Sequence, residues 1–185
     1  MRKQIGAKTY LAPMPVLILG TYNEDGTPNA MNAAYGGMVA SAPASLNIFV
    51  SESHKTSVNL KAGSDLTVHL GTKAQAEACD YVGLVSANNG DKMAKTGWTI
   101  TKSEKVNAPI FEELPIALEC KVVSIEGTRV LANIIDVSVD EAYVDEEGNV
   151  DLGKMELLCF DPAGSSYRVM GEEVGKAFSI GNALK

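Results

Sequence analysis

The chain has 185 residues, of which 45% are hydrophobic and 21% charged, and its formal net charge is −7. A chain of this length is expected to form one domain whose core needs no disulfide or metal for stability. The composition excludes a disordered or low-complexity protein. Because the net charge is negative, binding to nucleic-acid phosphates or to an anionic membrane surface is disfavoured, and neither partner is expected.

The three cysteines, Cys79, Cys120 and Cys159, lie far apart in the sequence and form no Cys-x-x-Cys pair. This spacing predicts neither a zinc site nor a redox dithiol, but unpaired thiols of a protein in a reducing compartment. The first residues lack the apolar stretch and cleavage site of a signal peptide. No run approaches the ~20 apolar residues of a membrane span. We therefore expect a cytoplasmic protein without a metal.

The first half of the chain is dominated by predicted strands. Residues 16–22 are β-branched and leucine-rich and run into a turn at 23–26, and residues 45–51 alternate between apolar and polar. The segment between them, 29–41, is rich in Ala, Gly and Met. Residues 55–62 predict a short helix that ends at Gly63, and residues 65–70 alternate as a half-buried strand does.

The second half begins with an alanine-rich segment, 73–85, that predicts a helix ended by the polar residues 86–91. Two long β-rich stretches, 116–125 and 129–144, flank a Glu-Gly-Thr turn and predict a hairpin. A short strand at 157–160 and a C-terminal helix at 172–178 complete the prediction. Many strands, few helices and no βαβ repeat indicate a mainly β fold, an antiparallel barrel.

The sequence contains no common hydrolytic or dinucleotide-binding motif. There is no Gly-x-Ser-x-Gly, no His-Glu-x-x-His, no phosphate loop and no Gly-x-Gly-x-x-Gly. Only two histidines are present, and His69 alternates with core positions on a predicted strand, which favours a structural role. A redox cofactor, if bound, must therefore be held by a different kind of site.

The segment 29–37 offers a surface for a flat ligand. A strand made of Ala and Gly gives up side-chain packing, and this permits a ring to approach the backbone closely. Asn32 adds an amide that can bond to a ring heteroatom. The alternative interpretation is a β-bulge or a closely packed barrel strand.

The segment 51–56 lies where a strand passes into a helix. Ser51, Ser53, His54, Lys55 and Thr56 supply hydroxyls and a cation, and these groups suit a phosphate monoester. The alternative is that Ser53 only caps the helix and that its neighbours are solvated.

Two later segments are also candidates for function. Lys92 ends the polar loop 86–92, where it could cover a bound anion or simply be solvated. Residues 167–171 predict a terminal strand that packs on the barrel or on a partner subunit.

Taken in order, these segments resemble the flavin reductase-like family of FMN-binding split barrels, in particular its flavoredoxin branch. The resemblance is carried by residues 13–16, which lead into the first predicted strand, by the segments 29–37 and 53–56, by Ala108-Pro109, and by residues 118–121 and 167–171. It covers nearly the whole chain.

The resemblance implies an antiparallel Greek-key split barrel with a few peripheral helices, formed as a single domain by residues 1–185, and FMN as the cofactor. Asn32, Ala33 and Ala34 would line the isoalloxazine, and residues 53–56 would hold the ribityl phosphate, with Ser51 and Lys92 as further ligands. The family often has an arginine and an aromatic residue where this chain has His54-Lys55. Bidentate phosphate recognition by an arginine is then missing, although Lys55 restores the charge.

The resemblance further implies a homodimeric oxidoreductase that passes electrons from NAD(P)H through FMN to an unidentified acceptor, for which a redox protein is a candidate. The hydride chemistry belongs to the cofactor, so no catalytic acid, base or nucleophile is predicted. Two alternatives stay open at this point. The chain could be a non-enzymatic FMN electron carrier, or a split-barrel protein that binds another ligand.

Overall fold

A computed structural model describes all 185 residues. The chain forms twelve strands, two α-helices and five short 3₁₀ turns. The strands are β1 (Met14–Pro15), β2 (Leu17–Tyr22), β3 (Pro28–Ala33), β4 (Gly36–Ser41), β5 (Ala44–Phe49), β6 (Asp65–Leu70), β7 (Ile100–Lys102), β8 (Pro109–Phe111), β9 (Ile116–Glu126), β10 (Arg129–Val139), β11 (Leu158–Asp161) and β12 (Ser166–Val169). The helices are α1 (Lys55–Asn59) and α2 (Ala76–Leu84), and the 3₁₀ turns are Lys73–Gln75, Ala87–Asn89, Met93–Lys95, Glu141–Tyr143 and Ile180–Leu184.

Seven strands form the main sheet in the order β3-β2-β6-β9-β10-β5-β4, and every pair is antiparallel. The edge strands β3 and β4 follow one another in the chain and are joined only by Ala34 and Tyr35. A link this short spans ~10 Å at most, so the two edges of the sheet must lie close together. The sheet therefore curls into a barrel that is split between β3 and β4.

The barrel interior is filled by the inward side chains of its strands. Leu17 and Leu19 of β2 and Leu66 and Val68 of β6 belong to this cluster and are almost fully buried. Ile18, between the two leucines, points the other way and is also fully buried. Because β2 is covered on both faces, its sequence is a continuous apolar run rather than an alternating one.

The outer face of β2 and β6 is covered by α2, the loop after it and the β7–β8 hairpin. Trp98 and Phe111 pack there, with ring centroids 5.0 Å apart. His69 lies beneath them with no exposed surface, and its Nε2 accepts a hydrogen bond from the Phe111 amide over 3.2 Å. Burial lowers the pKa of His69 to about 3, so the ring is neutral. The structural role predicted for His69 is therefore confirmed.

The antiparallel, mainly β architecture is confirmed, and the structure corrects three element boundaries. The second strand of the hairpin, predicted over 129–144, ends at Val139, because the chain then enters the 3₁₀ turn Glu141–Tyr143. Residues 29–41 form two strands, β3 and β4, because the chain bends at Ala34 and Tyr35. The helix α1 ends at Asn59, three residues earlier than predicted. Cys79 and Cys120 are buried, Cys159 is half-buried, and all three are unpaired.

The predicted helix at 172–178 is wrong. Residues 171–185 are exposed throughout, and Val174 and Phe178 lie against no core that could stabilise an amphipathic helix. None of the helices has the length and apolar character needed to cross a membrane.

Candidate functional site

The end of β3 places Asn32, Ala33 and Ala34 in three different environments. Ala33 pairs with Leu17 and is buried in the barrel core, so only its backbone can face a ligand. Ala34 is exposed at the bend between β3 and β4. The small side chain of Ala34 leaves room for a flat group beside the backbone at this position.

Asn32 lies on the outer face of β3 beneath α2. Its Nδ2 donates to the carbonyl oxygen of Cys79 over 3.0 Å and reaches the Tyr167 hydroxyl oxygen at 3.4 Å. The helix comes very close here, because a Cβ on Gly83 would lie 3.0 Å from the Cβ of Asn32. A side chain at position 83 would have to displace Asn32 or α2 by a few tenths of an ångström, so glycine suits this close packing.

The turn at 51–56 holds its polar groups in an open arrangement. The hydroxyl oxygens of Ser51 and Ser53 lie 3.0 Å apart, and the Nδ1 of His54 is 3.1 Å from the sulfur of Met31. His54, not Ser53, is the N-cap of α1, and no side chain caps the helix. The alternative that Ser53 is a simple capping residue is therefore not supported.

Several hydrogen-bond donors of this turn have no acceptor within the chain. The backbone amides of Lys55 and Thr56 make no intramolecular hydrogen bond. The side chain of Lys55 forms no ion pair within 4 Å, although its charge helps lower the pKa of Asp25 after the hydrogen bonds from Thr27. Two serine hydroxyls, two free amides and an ammonium are donors that suit an anion.

Thr56 has a different environment from the other residues of the turn. It is buried, and its Oγ1 accepts a hydrogen bond from Asn29 Nδ2 over 2.9 Å. The same Asn29 amide donates to Thr21, to which Asn59 also donates. This network fastens both ends of α1 to β2 and β3, so the threonine side chain positions the turn.

Lys92 is also placed differently from its predicted role. Its ammonium is buried and donates to the carbonyl oxygens of Val82 and Val85, each over 2.8 Å. These carbonyls belong to the C-terminal end of α2, where a cation is favourable. Burial lowers the pKa of Lys92 to about 8. The ammonium is thus committed to α2, and its direct contact with an anion stays a prediction.

The loop after α2 nevertheless reaches the turn at 51–56. Asn88 Nδ2 donates to the carbonyl oxygen of Ser53 over 3.5 Å. A cavity of about 850 Å³ opens between this loop and Lys55, with Asp25, Asp91 and Trp98 in its wall. A second cavity, of about 240 Å³, lies between α2 and the end of β3 and is lined by Pro15, Val16, Asn32, Ala34, Asp80, Gly83, Leu84, Phe160 and Tyr167.

Comparison with known proteins identifies the family to which the chain belongs. The sequence pattern described as "Flavin reductase like domain" matches residues 9–161. The chain belongs to the flavin reductase-like family. The match includes the whole barrel, the turn at 51–56, and the β3 and α2 residues that line the smaller cavity.

Two solved structures and one sequence relative are also similar to this chain, and the structures match it beyond residues 9–161. The flavoredoxin of Desulfovibrio vulgaris (Miyazaki F) is 35% identical and superposes with a TM-score of 0.93 over 98% of this chain and 100% of the other. A flavoredoxin from Methanosarcina acetivorans is 28% identical, with a TM-score of 0.87 over all of both chains. An uncharacterised protein of Archaeoglobus fulgidus is 25% identical over 77% of this chain and 81% of its own. These matches confirm the split-barrel fold and the flavoredoxin resemblance.

The residues of this flavin reductase-like chain fit FMN, the cofactor of the resemblance. The free donors around Lys55 suit a terminal phosphate, and the exposed bend at Ala34 suits a ring. The sequence alone suggests no role for Asp80 and Gly83, which also shape this region. Asn29 and Tyr167 lie in segments that the sequence marks as candidates, but their hydrogen-bond partners could not be predicted, because each partner is distant in sequence.

Proposed function

We propose that the protein is an FMN-dependent oxidoreductase that takes electrons from NAD(P)H and passes them to an acceptor. The family match over residues 9–161 carries this proposal. The free donors of the turn at 51–56 support it, since an FMN phosphate needs such groups and a riboflavin does not.

Each group of residues has a part in holding the cofactor. Lys55, the hydroxyls of Ser51 and Ser53 and the free amides of Lys55 and Thr56 bind the phosphate. The backbone of Ala33 and Ala34 and the side chain of Asn32 border the ring, and Thr56 and Lys92 position the turn and the loop beside it. FMN held by these residues would supply the hydride and electron transfer chemistry between the nicotinamide and the acceptor.

We also propose that the protein is a homodimer in the cytoplasm. Exposed apolar side chains lie on the neighbouring strands β9, β10, β5 and β4, and a second copy would remove them from water: Met38, Val39, Phe49, Val123, Ile125, Ile135 and Val137. The three unpaired cysteines support a reducing compartment.

The test is anaerobic mixing of FMN-loaded protein with NADH and, separately, with NADPH in a stopped-flow instrument. We expect either donor to remove the absorbance of oxidised flavin near ~450 nm, a property of the cofactor itself. Since the chain has no Rossmann motif, we expect a Michaelis constant in the upper part of the usual ~1 μM to 1 mM range.

The second candidate function is an FMN electron carrier that exchanges electrons only with proteins. It is favoured by the likeness to two proteins called flavoredoxins and by the net charge of −7, which suits a basic redox partner. If dithionite bleaches the bound flavin but neither nicotinamide does, this second function replaces the first.

A further inference from the structure

The cavity of about 240 Å³ beside Asn32 has a chemistry of its own. It lies against Asn32 and Ala34, so under the proposed function it adjoins the ring of the cofactor. Its volume suits a single ring and is below the ~300 to 1,000 Å³ of sites that enclose drug-sized ligands. A whole dinucleotide does not fit in it.

The hydrogen bonds of the cavity wall run in one direction. Asn32 Nδ2 reaches the Tyr167 hydroxyl oxygen at 3.4 Å, and the hydroxyl donates to Asp80 Oδ1 over 2.8 Å. The orientation of the Asn32 amide is fixed because the same nitrogen donates to the Cys79 carbonyl, which can only accept. The Tyr167 proton is held too: burial, and then the Asp80 carboxylate, raise the pKa of Tyr167 to about 12.

The side-chain donors of Asn32 and Tyr167 are therefore already used in these hydrogen bonds, and only acceptor atoms remain available to a ligand. Asn32 Oδ1 and Asp80 Oδ2 make no hydrogen bond within the chain, and no cation lies within 4 Å of Asp80. The other walls are apolar, formed by Val16, Leu84 and Phe160 among others. A ligand that enters must bring donors of its own, and an anion would meet an unpaired carboxylate.

We propose that this cavity binds an uncharged aromatic ring carrying an N–H or O–H donor, and that Asp80 excludes rings bearing a carboxylate. The proposal rests on the proposed function only for the cavity's place beside the cofactor. Such a ring could come from the electron donor, as a carboxamide, or from the acceptor, as a phenol or an amine. In both cases Asp80 and Asn32 recognise the same chemistry.

Benzamide and benzoate are matched probes, since they share a ring and differ in donor and charge. Their dissociation constants are measured at pH 7 by ligand-observed NMR on FMN-loaded protein and on FMN-free protein. We expect benzamide to bind at least about tenfold more tightly than benzoate to the wild type. In Asp80→Asn the ratio should fall to within about threefold, while Glu146→Gln, the loss of an exposed charge elsewhere, should leave it unchanged.

Asp80→Glu keeps the charge and should keep most of the preference, which separates selectivity from a loss of folding. Equal binding of the two probes by the wild type, binding of neither, or an unchanged ratio in Asp80→Asn would overturn the proposal. Displacement of benzamide by FMN would also overturn it, because the cavity would then belong to the cofactor.

A competition experiment with NAD⁺ identifies the source of the ring. If NAD⁺ displaces benzamide, the ring comes from the electron donor; if benzamide stays bound in the presence of NAD⁺, the ring comes from the acceptor. If the chain bound no FMN, the proposed function would fail, while the probe ratio on FMN-free protein would still decide this inference.

Discussion

The amide nitrogen of Asn29 donates to the hydroxyl oxygen of Thr56 over 2.9 Å, and this bond joins β3 to the first turn of α1. The two residues are 27 positions apart, and both are almost fully buried. The neighbouring Lys55 makes no such contact. Thr56 therefore holds the turn in place, while the side chain of the preceding residue, Lys55, forms no ion pair in the chain and stays available for the proposed phosphate.

Lys55→Ala should weaken FMN binding and leave riboflavin binding nearly unchanged. A hydrogen bond to a charged group contributes ~1.5 to 3 kcal/mol, so the FMN dissociation constant should rise ~10-fold to 150-fold. Flavin fluorescence titration measures both constants, and the wild type should prefer FMN to riboflavin and to FAD. Lys61→Ala, at an exposed lysine beyond α1, is the control. Equal FMN and riboflavin affinities in the wild type would contradict the phosphate site.

Thr56→Val should destabilise the whole domain, unlike Lys55→Ala. The substitution keeps the shape of the side chain but leaves the buried Asn29 amide one acceptor short, at a cost of ~1 to 3 kcal/mol. Urea unfolding measures the change in the midpoint. Ser57→Ala, which removes a hydroxyl on the same helix that bonds only to nearby carbonyls, should have the smaller effect. A Thr56→Val midpoint equal to that of the wild type would contradict the anchoring role.

Lys92→Met should change how stability depends on alkaline pH. The pKa of Lys92 is lowered in the folded protein to about 8 from 10.5, so the unfolded chain binds more protons between these values. The free energy of unfolding of the wild type should therefore rise with pH, relative to Lys92→Met, from about pH 8 to about pH 10.5.

Denaturant unfolding of both proteins at several pH values across this range measures the difference, in which the shared cysteine titrations cancel. The exposed Lys95, replaced by Met in the same loop, should show no such pH dependence. A constant difference between wild type and Lys92→Met would show that the buried ammonium has an ordinary pKa.

His69→Gln should remove part of the acid sensitivity of the fold. The pKa of His69 is lowered from 6.5 to about 3, so below pH 6.5 the unfolded chain takes up a proton that the folded chain does not. The folding equilibrium constant of the wild type should fall about tenfold per pH unit from pH 6.5 towards pH 3 through this residue. Glutamine can still accept the Phe111 N–H, so unfolding curves at pH 7.5 and 5 should show a smaller loss for the variant. Equal losses would refute the buried neutral ring.

Val39→Glu should weaken the proposed dimer. Val39 is exposed on β4, at the edge of the apolar strands proposed as the interface, and a buried charge there would oppose association. Sedimentation velocity at micromolar concentration should give twice the chain mass for the wild type and a shift towards the single chain for the variant. Val150→Glu, in a loop away from these strands, is the control. A wild-type protein that sediments as a single chain would refute the dimer.

The sequence by itself predicted most strands of the main sheet and their order along the chain, but not the short strands β7 and β8. Alternation in 65–70 and the Glu-Gly-Thr turn between two β-rich stretches are local signals. β6 forms at the predicted residues and the β9–β10 hairpin forms around the predicted turn, although β10 ends five residues before the predicted 144. The family could also be predicted, because the order of several weak motifs is more specific than any one of them. The predicted C-terminal helix does not form. A short amphipathic helix is stable only where its apolar face packs against a core, and residues 171–185 are exposed along their whole length.

Only the tertiary structure decided what each side chain of the site can do. Lys92 reads as a loop cation in the sequence, yet it is buried against the carbonyls of α2. Thr56 reads as a phosphate donor, yet it accepts a bond from Asn29. The cavity beside Asn32 depends on Tyr167, 135 residues away. Such roles depend on which hydrogen-bonding groups are already satisfied, and partners brought together by folding cannot be read from neighbouring positions in the chain.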